Sequence, residues 1–206
     1  MPKKILPDKK IYVAVEMLGE YINGKAVVKD ERNNELLDPT IIDNKIKIYE
    51  REVKEWFLKP AKNLLSQDSF VNAFIALMVC MSYFEGVEQY KTGMISNGRS
   101  KDYFKNSIKR IYPDKSFQNS DLNKLYSKTR CGLFHNGMVK GGVIFNNNYP
   151  EPIEFINDGE LIKVNPTQLL QDIQNDFENY INELKSTDSD KSQIARQNFA
   201  QMFSVL

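Results

Sequence analysis

The sequence predicts a mainly α-helical bundle with a small β addition, a hairpin plus a third strand, near the C-terminal helix. Three observations carry that expectation. Apolar residues recur at helical spacing in successive segments from Asp43 onward, residues 73–81 are almost continuously apolar, and Asp158-Gly159 sits between two short apolar runs as a turn signal.

Residues 1–42 are the least readable part: residues 11–22 fit a strand or a helix, and Asn23-Gly24 marks a turn. From Asp43, the residues Ile46, Tyr49, Val53, Trp56 and Phe57 keep helical spacing above a face of Lys, Glu and Arg, until Pro60 kinks or ends the helix. Asp68 or Ser69 caps the next helix, which runs to about Lys91. Its Phe70, Phe74, Leu77, Met78, Met81 and Phe84 are joined by so many apolar neighbours that it should be central and buried all round. Residues 92–100 break the pattern. A helix over residues 101–112, closed by Pro113, then places Tyr103, Phe104, Ile108 and Ile111 on one face and Lys101, Lys105 and Lys109 on another. Ser120-Asp121 caps a third helix, with Leu122, Leu125 and Tyr126 inward, that leads into Arg130.

After Gly137 the chain changes character. Residues 143–145 look like a strand, and residues 153–156 and 161–164 form a hairpin about Asp158-Gly159, whose residues readily take positive backbone angles. Asn165-Pro166-Thr167 starts a last long helix with Leu169, Leu170, Ile173, Phe177, Tyr180, Ile181 and Leu184 on one side. The expected organisation is a single domain over residues 1–185, its motif region at 69–137, followed by a tail at 186–206. That tail is polar and then amphipathic, and either docks or stays loose.

Composition narrows the class. With 206 residues, 41% of them hydrophobic and 11% aromatic, the chain is long and apolar enough to bury a real core. Cys80 and Cys131 lie in an apolar run and in the motif respectively, so neither belongs to a disulfide framework, and a reducing cytoplasm is the expected setting. No signal peptide is expected, because Pro7, Asp8, Lys9 and Lys10 interrupt the apolar stretch that should follow Lys3-Lys4. No membrane span is expected either, since residues 73–81 are too few to cross a bilayer. Walker-type loops and Cys/His clusters are missing from the sequence, so no cofactor and no metal is expected.

The net charge of +1 hides an uneven distribution. Residues 91–130 hold ten basic and three acidic side chains, and residues 151–190 hold ten acidic and two basic ones. A positive region beside the motif would draw in an anion, and lysines backed by aromatics suit a phosphate backbone; two solvated helix faces would give the same count.

His135 is the one histidine, five residues after Arg130 in Thr129-Arg130-Cys131-Gly132-Leu133-Phe134-His135-Asn136-Gly137. An imidazole that titrates near neutrality beside a permanent guanidinium supplies acid/base chemistry and a phosphate clamp, the needs of phosphodiester cleavage. The competing reading makes both residues structural, with His135 as packing or a helix end.

A long apolar helix ending in Tyr83-Phe84-Glu85-Gly86, a basic helix, and a helix carrying Arg130 and His135 resemble the HEPN superfamily (higher eukaryotes and prokaryotes nucleotide-binding) over residues 69–137. The resemblance implies a compact HEPN-like helical bundle that dimerises. Many members are metal-independent endoribonucleases of toxin, antiphage or RNA-processing systems; others bind or scaffold without activity. It further implies Arg130 as the motif arginine, His135 as the motif histidine, and Glu85 or Glu88 as the acidic residue of the preceding long helix. Active members frequently carry a polar residue such as asparagine after the arginine, where this chain has Cys131. The implied partners are RNA, a second copy in a homodimer, and an antitoxin or regulatory protein.

On a regular helix a five-residue step turns through about 140°, so Arg130 and His135 share a face only where the helix bends or ends, as Gly132 and Gly137 would permit. A homodimer bringing two motifs together supplies two imidazoles. The roles that follow are phosphate and transition-state stabilisation by Arg130, general acid/base work by His135, and orientation of Arg130 or the ribose by Glu85. Asn136 either donates to phosphate or caps the helix, while Lys101, Lys105, Lys109 and Lys128 guide RNA. The alternative function is a catalytically inactive nucleic-acid- or protein-binding module with an Arg130–Glu85 structural bridge.

Overall fold

The computed structural model describes residues 4–67 and 70–206. Four strands come first, β1 (Ile11–Ala14), β2 (Met17–Ile22), β3 (Lys25–Asp30) and β4 (Glu35–Leu37). Helix α1 (Ile42–Val53) passes through a π-helical turn, π1 (Lys54–Leu58), into α2 (Lys59–Leu65). Next come α3 (Phe70–Thr92), α4 (Ser100–Ile111), α5 (Asn119–Leu125), a second π turn, π2 (Tyr126–Arg130), and α6 (Cys131–Asn136). Strands β5 (Val143–Phe145), β6 (Ile153–Ile156) and β7 (Leu161–Val164) precede α7 (Pro166–Lys185) and α8 (Asp190–Met202).

The expected mainly α-helical bundle is therefore corrected to an α/β mix: a four-stranded antiparallel sheet accompanies a three-stranded mixed one. The first sheet escaped sequence reading because its strands are short, and none keeps an inside-outside alternation for more than about four residues. Pro60 neither ends nor breaks its helix. It follows π1, whose Lys59 N–H reaches back five residues to the Lys54 carbonyl, so a widened turn accommodates a ring that would crowd a regular one. The predicted cap at Asp68 or Ser69 lies outside the described residues. No helix among the described residues is long and apolar enough to cross a membrane.

Two compact units divide the chain. One takes the described residues up to Lys59 with Tyr90–Ile95 and Asn179–Leu206. Its sheet is a meander in the order β1-β2-β3-β4, and Ile22 pairs with Lys25 across Asn23 and Gly24, whose φ values of 51° and 77° close a two-residue hairpin. Val13, Met17, Val28 and Leu37 bury the inner face. The tail is part of this unit: Ser189 caps α8 by accepting from the Ser192 N–H at 3.1 Å, and Phe199 and Phe203 are fully buried beside Tyr49 and Tyr90. Buried Asp30 accepts from Arg51 at 2.9 Å; burial alone would raise its pKa, but Arg51 and Lys47 outweigh that and hold the carboxyl below its ordinary range.

The other unit holds Pro60–Gln89 and Ser96–Glu178. Its sheet order is β5-β7-β6, with β5 parallel and β6 antiparallel to β7. The hairpin turn spans Asn157 to Glu160, with Asn157, Asp158 and Gly159 at positive φ. Asn165 caps α7 by accepting from the Gln168 N–H at 3.0 Å, and Pro166 occupies the first helical position, where no donor is lost. Ala76, Leu77, Cys80, Met81 and Phe84 of α3 are buried, and Phe84 meets Phe104 edge-on at 5.4 Å.

Candidate functional site

Arg130 closes π2, a turn in which the Cys131 N–H reaches back five residues to the Tyr126 carbonyl. Buried Thr129 explains part of that widening: its hydroxyl donates to the Leu125 carbonyl at 2.6 Å and lies 3.1 Å from the Met81 sulfur. Wide turns of this kind recur at functional sites because they re-aim the side chain that follows. Here the side chain is Arg130, whose Nη2 donates to Glu85 at 3.0 Å. The other oxygen of Glu85 accepts from the Ser96 hydroxyl at 2.9 Å, so both carboxylate oxygens are engaged. Glu88 instead accepts from Arg110 at 3.3 Å, so of the two carboxylates Glu85 is the one bonded to Arg130.

Aromatic rings bracket the guanidinium. Its carbon lies 5.7 Å from the Tyr126 ring centre and 5.4 Å from that of Phe134, four residues before and four after Arg130 on the same helical face. Lys101 approaches Tyr126 as well, at 6.0 Å. Burial pushes the Tyr126 hydroxyl pKa up, against the pull of the Arg130 charge. Of the five N–H donors of a guanidinium, those on Nη2 alone have a side-chain acceptor among the described residues. The other donors have no hydrogen-bond partner among the described residues, and 24% of the Arg130 side chain is exposed.

His135 and Asn136 stand exposed on the last turn of α6, and neither hydrogen-bonds among the described residues. The helix stops after them because Gly137 takes φ 72°, the left-handed conformation that favours glycine at this place. Gly132 is no bend. A Cβ there would lie 2.7 Å from the Met138 carbonyl oxygen, so this glycine lets the returning chain cross the helix, pinned by the Lys140 N–H on the Lys128 carbonyl at 2.8 Å. Arg130 and His135 thus stay on the regular five-residue step and do not meet within one chain. The structure brings together Glu85 and Arg130 and leaves His135 apart.

The proposed lysine track is mostly engaged inside the fold. Lys105 pairs with Asp102 at 3.0 Å, and Lys109 donates to Asn119 at 2.7 Å. Lys128 donates to the Glu160 carbonyl at 2.6 Å, and Lys124 grips the same hairpin turn through Asp158 and Glu160. Lys115 pairs with Glu151, and Arg110 with Asp176. Basic and acidic stretches of the sequence therefore neutralise each other locally. Lys101 and Lys109 are the exposed lysines of the predicted set, and neither makes an ion pair among the described residues.

Two neighbours of Arg130 and one of Glu85 were not singled out from the sequence as parts of this site. Tyr126 and Phe134 were legible as the positions four residues to either side of it, while Ser96 sits in an irregular loop with no signal. Sequence reading also missed the bridge around Arg110, in which Tyr83 donates to Asp176 at 2.7 Å and Tyr112 to Asp172 at 2.9 Å. Burial raises the Asp172 pKa in this cluster, against the hydrogen bond from Tyr112. Compared with known proteins, the chain matches no family model, no curated protein and no solved structure.

Proposed function

We propose that this chain is a metal-independent endoribonuclease of HEPN type that works on RNA in the cytoplasm as a homodimer. One observation carries the reading: the Arg130 guanidinium is held by Glu85 and two rings with most of its donors unbonded, one short helix away from the exposed, unbonded imidazole of His135. The ribose 2′-oxygen attacks phosphorus, the bond to the 5′-oxygen breaks, and the products are a 2′,3′-cyclic phosphate and a 5′-hydroxyl. Arg130 stabilises the charge on the pentacoordinate phosphorus, and one imidazole accepts the 2′-proton while another supplies a proton to the leaving oxygen. The 140° step within each chain, with one imidazole per chain, calls for the second copy. An antitoxin or regulatory protein would restrain such an activity in a toxin, antiphage or stress-response setting.

Mixed single-stranded RNA and a tRNA pool incubated in EDTA with the purified protein, His135→Ala and Arg130→Ala provide the test, with folding checked by circular dichroism. Cutting by the parent to cyclic phosphate ends, lost in both variants, is expected. A folded dimeric parent that leaves all RNA intact sinks the proposal. The second reading, an inactive nucleic-acid- or protein-binding module, draws on the Glu85–Arg130 pair and on the engagement of Lys105, Lys109 and Lys128 within the fold.

A further inference from the structure

Phe134 is left 44% exposed, directly before His135 and directly after buried Leu133. Its ring already lies against the Arg130 guanidinium, which limits its freedom without covering it. Met138, just beyond the Gly137 cap, is 58% exposed. Arg130 is the cation against this ring, and Lys101 approaches Tyr126, the other ring beside that guanidinium.

We infer that Phe134 is a stacking platform for an unpaired RNA base next to the phosphate held by Arg130; the inference rests on the ribonuclease reading above. A nucleotide presents an aromatic plane and an anion side by side. Phe134 with Arg130 offers the complement of both. A base already stacked on both faces in a duplex cannot use the ring, so the selected substrate class is single-stranded or looped RNA. Ring stacking tolerates every base, because each has a π-face, so cleavage depends on strandedness more than on sequence. Phe134 is thus a specificity-determining residue and not an acid or a base.

The test uses a short fluorescein-labelled single-stranded RNA of mixed sequence and its blunt duplex, with the full chain in a His135→Ala background so that binding is read without cutting. Anisotropy titrations compare this parent with added Phe134→Leu, which keeps the apolar bulk, and Phe134→Trp, which keeps the ring. Expected is a weakening of single-strand binding by roughly tenfold for leucine, near-parental binding for tryptophan, and no change for the duplex. Equal single-strand binding by the leucine variant overturns the inference while leaving the ribonuclease reading standing. So does a leucine variant that sediments as a monomer where the parent is a dimer, because Phe134 is then a subunit contact. A parent that binds no RNA overturns both, and is recognised because the failure appears before any change at Phe134.

Discussion

Glu52 lies half-buried on α1 with no hydrogen bond or ion pair among the described residues, and burial raises its carboxyl from the ordinary 4.5 to about 7. Burial of Tyr90, with the Glu52 charge as the lesser cause, pushes that hydroxyl up to about 12. The folded state therefore binds the Glu52 proton more tightly than the unfolded chain does. Below pH 4.5 both states are protonated and there is no penalty; between 4.5 and 7 stability falls as pH rises, and above 7 the whole penalty is present. At about 1.4 kcal/mol for each tenfold difference in proton affinity the ceiling is about 3 kcal/mol, and solvent reaching the side chain lowers this to on the order of 1–2 kcal/mol. Glu52→Gln cannot ionise, so at pH 8 it should melt about 2–8 °C above the parent. The difference should vanish toward pH 4.5. Thermal melts of both proteins by circular dichroism across that range provide the assay. A variant that melts with or below the parent at pH 8, or a gap that is the same at both ends of the range, would refute the reasoning.

At Gly132 an added methyl would meet backbone atoms that cannot rotate aside, so Gly132→Ala should lower stability by about 1–3 kcal/mol in urea denaturation; an unchanged midpoint would mean that the crossing chain is not tight there. Glu85→Ala removes the acceptor of both Arg130 and Ser96, and RNA cutting should fall by on the order of a hundredfold while the fold persists. Full activity in that variant would take Glu85 out of the site.

Periodicity made the helices legible, because α1, α4 and α7 each bury one regular face: Ile46 with Tyr49, Phe104 with Ile108, and Ile173 with Phe177. Turn chemistry made the β6–β7 hairpin legible. Asn23-Gly24 carried an equally good signal, but the runs beside it mix inward and outward residues, with Tyr21 and Ile22 exposed in succession, and an ambiguous pattern cannot choose between strand and helix. The π turns were invisible, since they depend on which carbonyl a donor selects and not on residue type. Arg130 stood out in the sequence beside the one histidine, while Glu85, with Glu88 as its alternative, came from the family resemblance. The spending of Lys128 on the Glu160 carbonyl was not readable, because the two lie 32 residues apart and meet only through the hairpin.

Under the proposed function, that internal pairing of lysines has a consequence for the salt dependence of RNA binding. Affinity for a polyanion grows with the number of condensed counterions that protein cations displace from it. Lys105, paired with Asp102, and Lys128, turned into the Glu160 turn, displace few. Binding here should accordingly weaken only gently as salt is added, with the shallow slope of a protein that grips a nucleotide step instead of following a backbone.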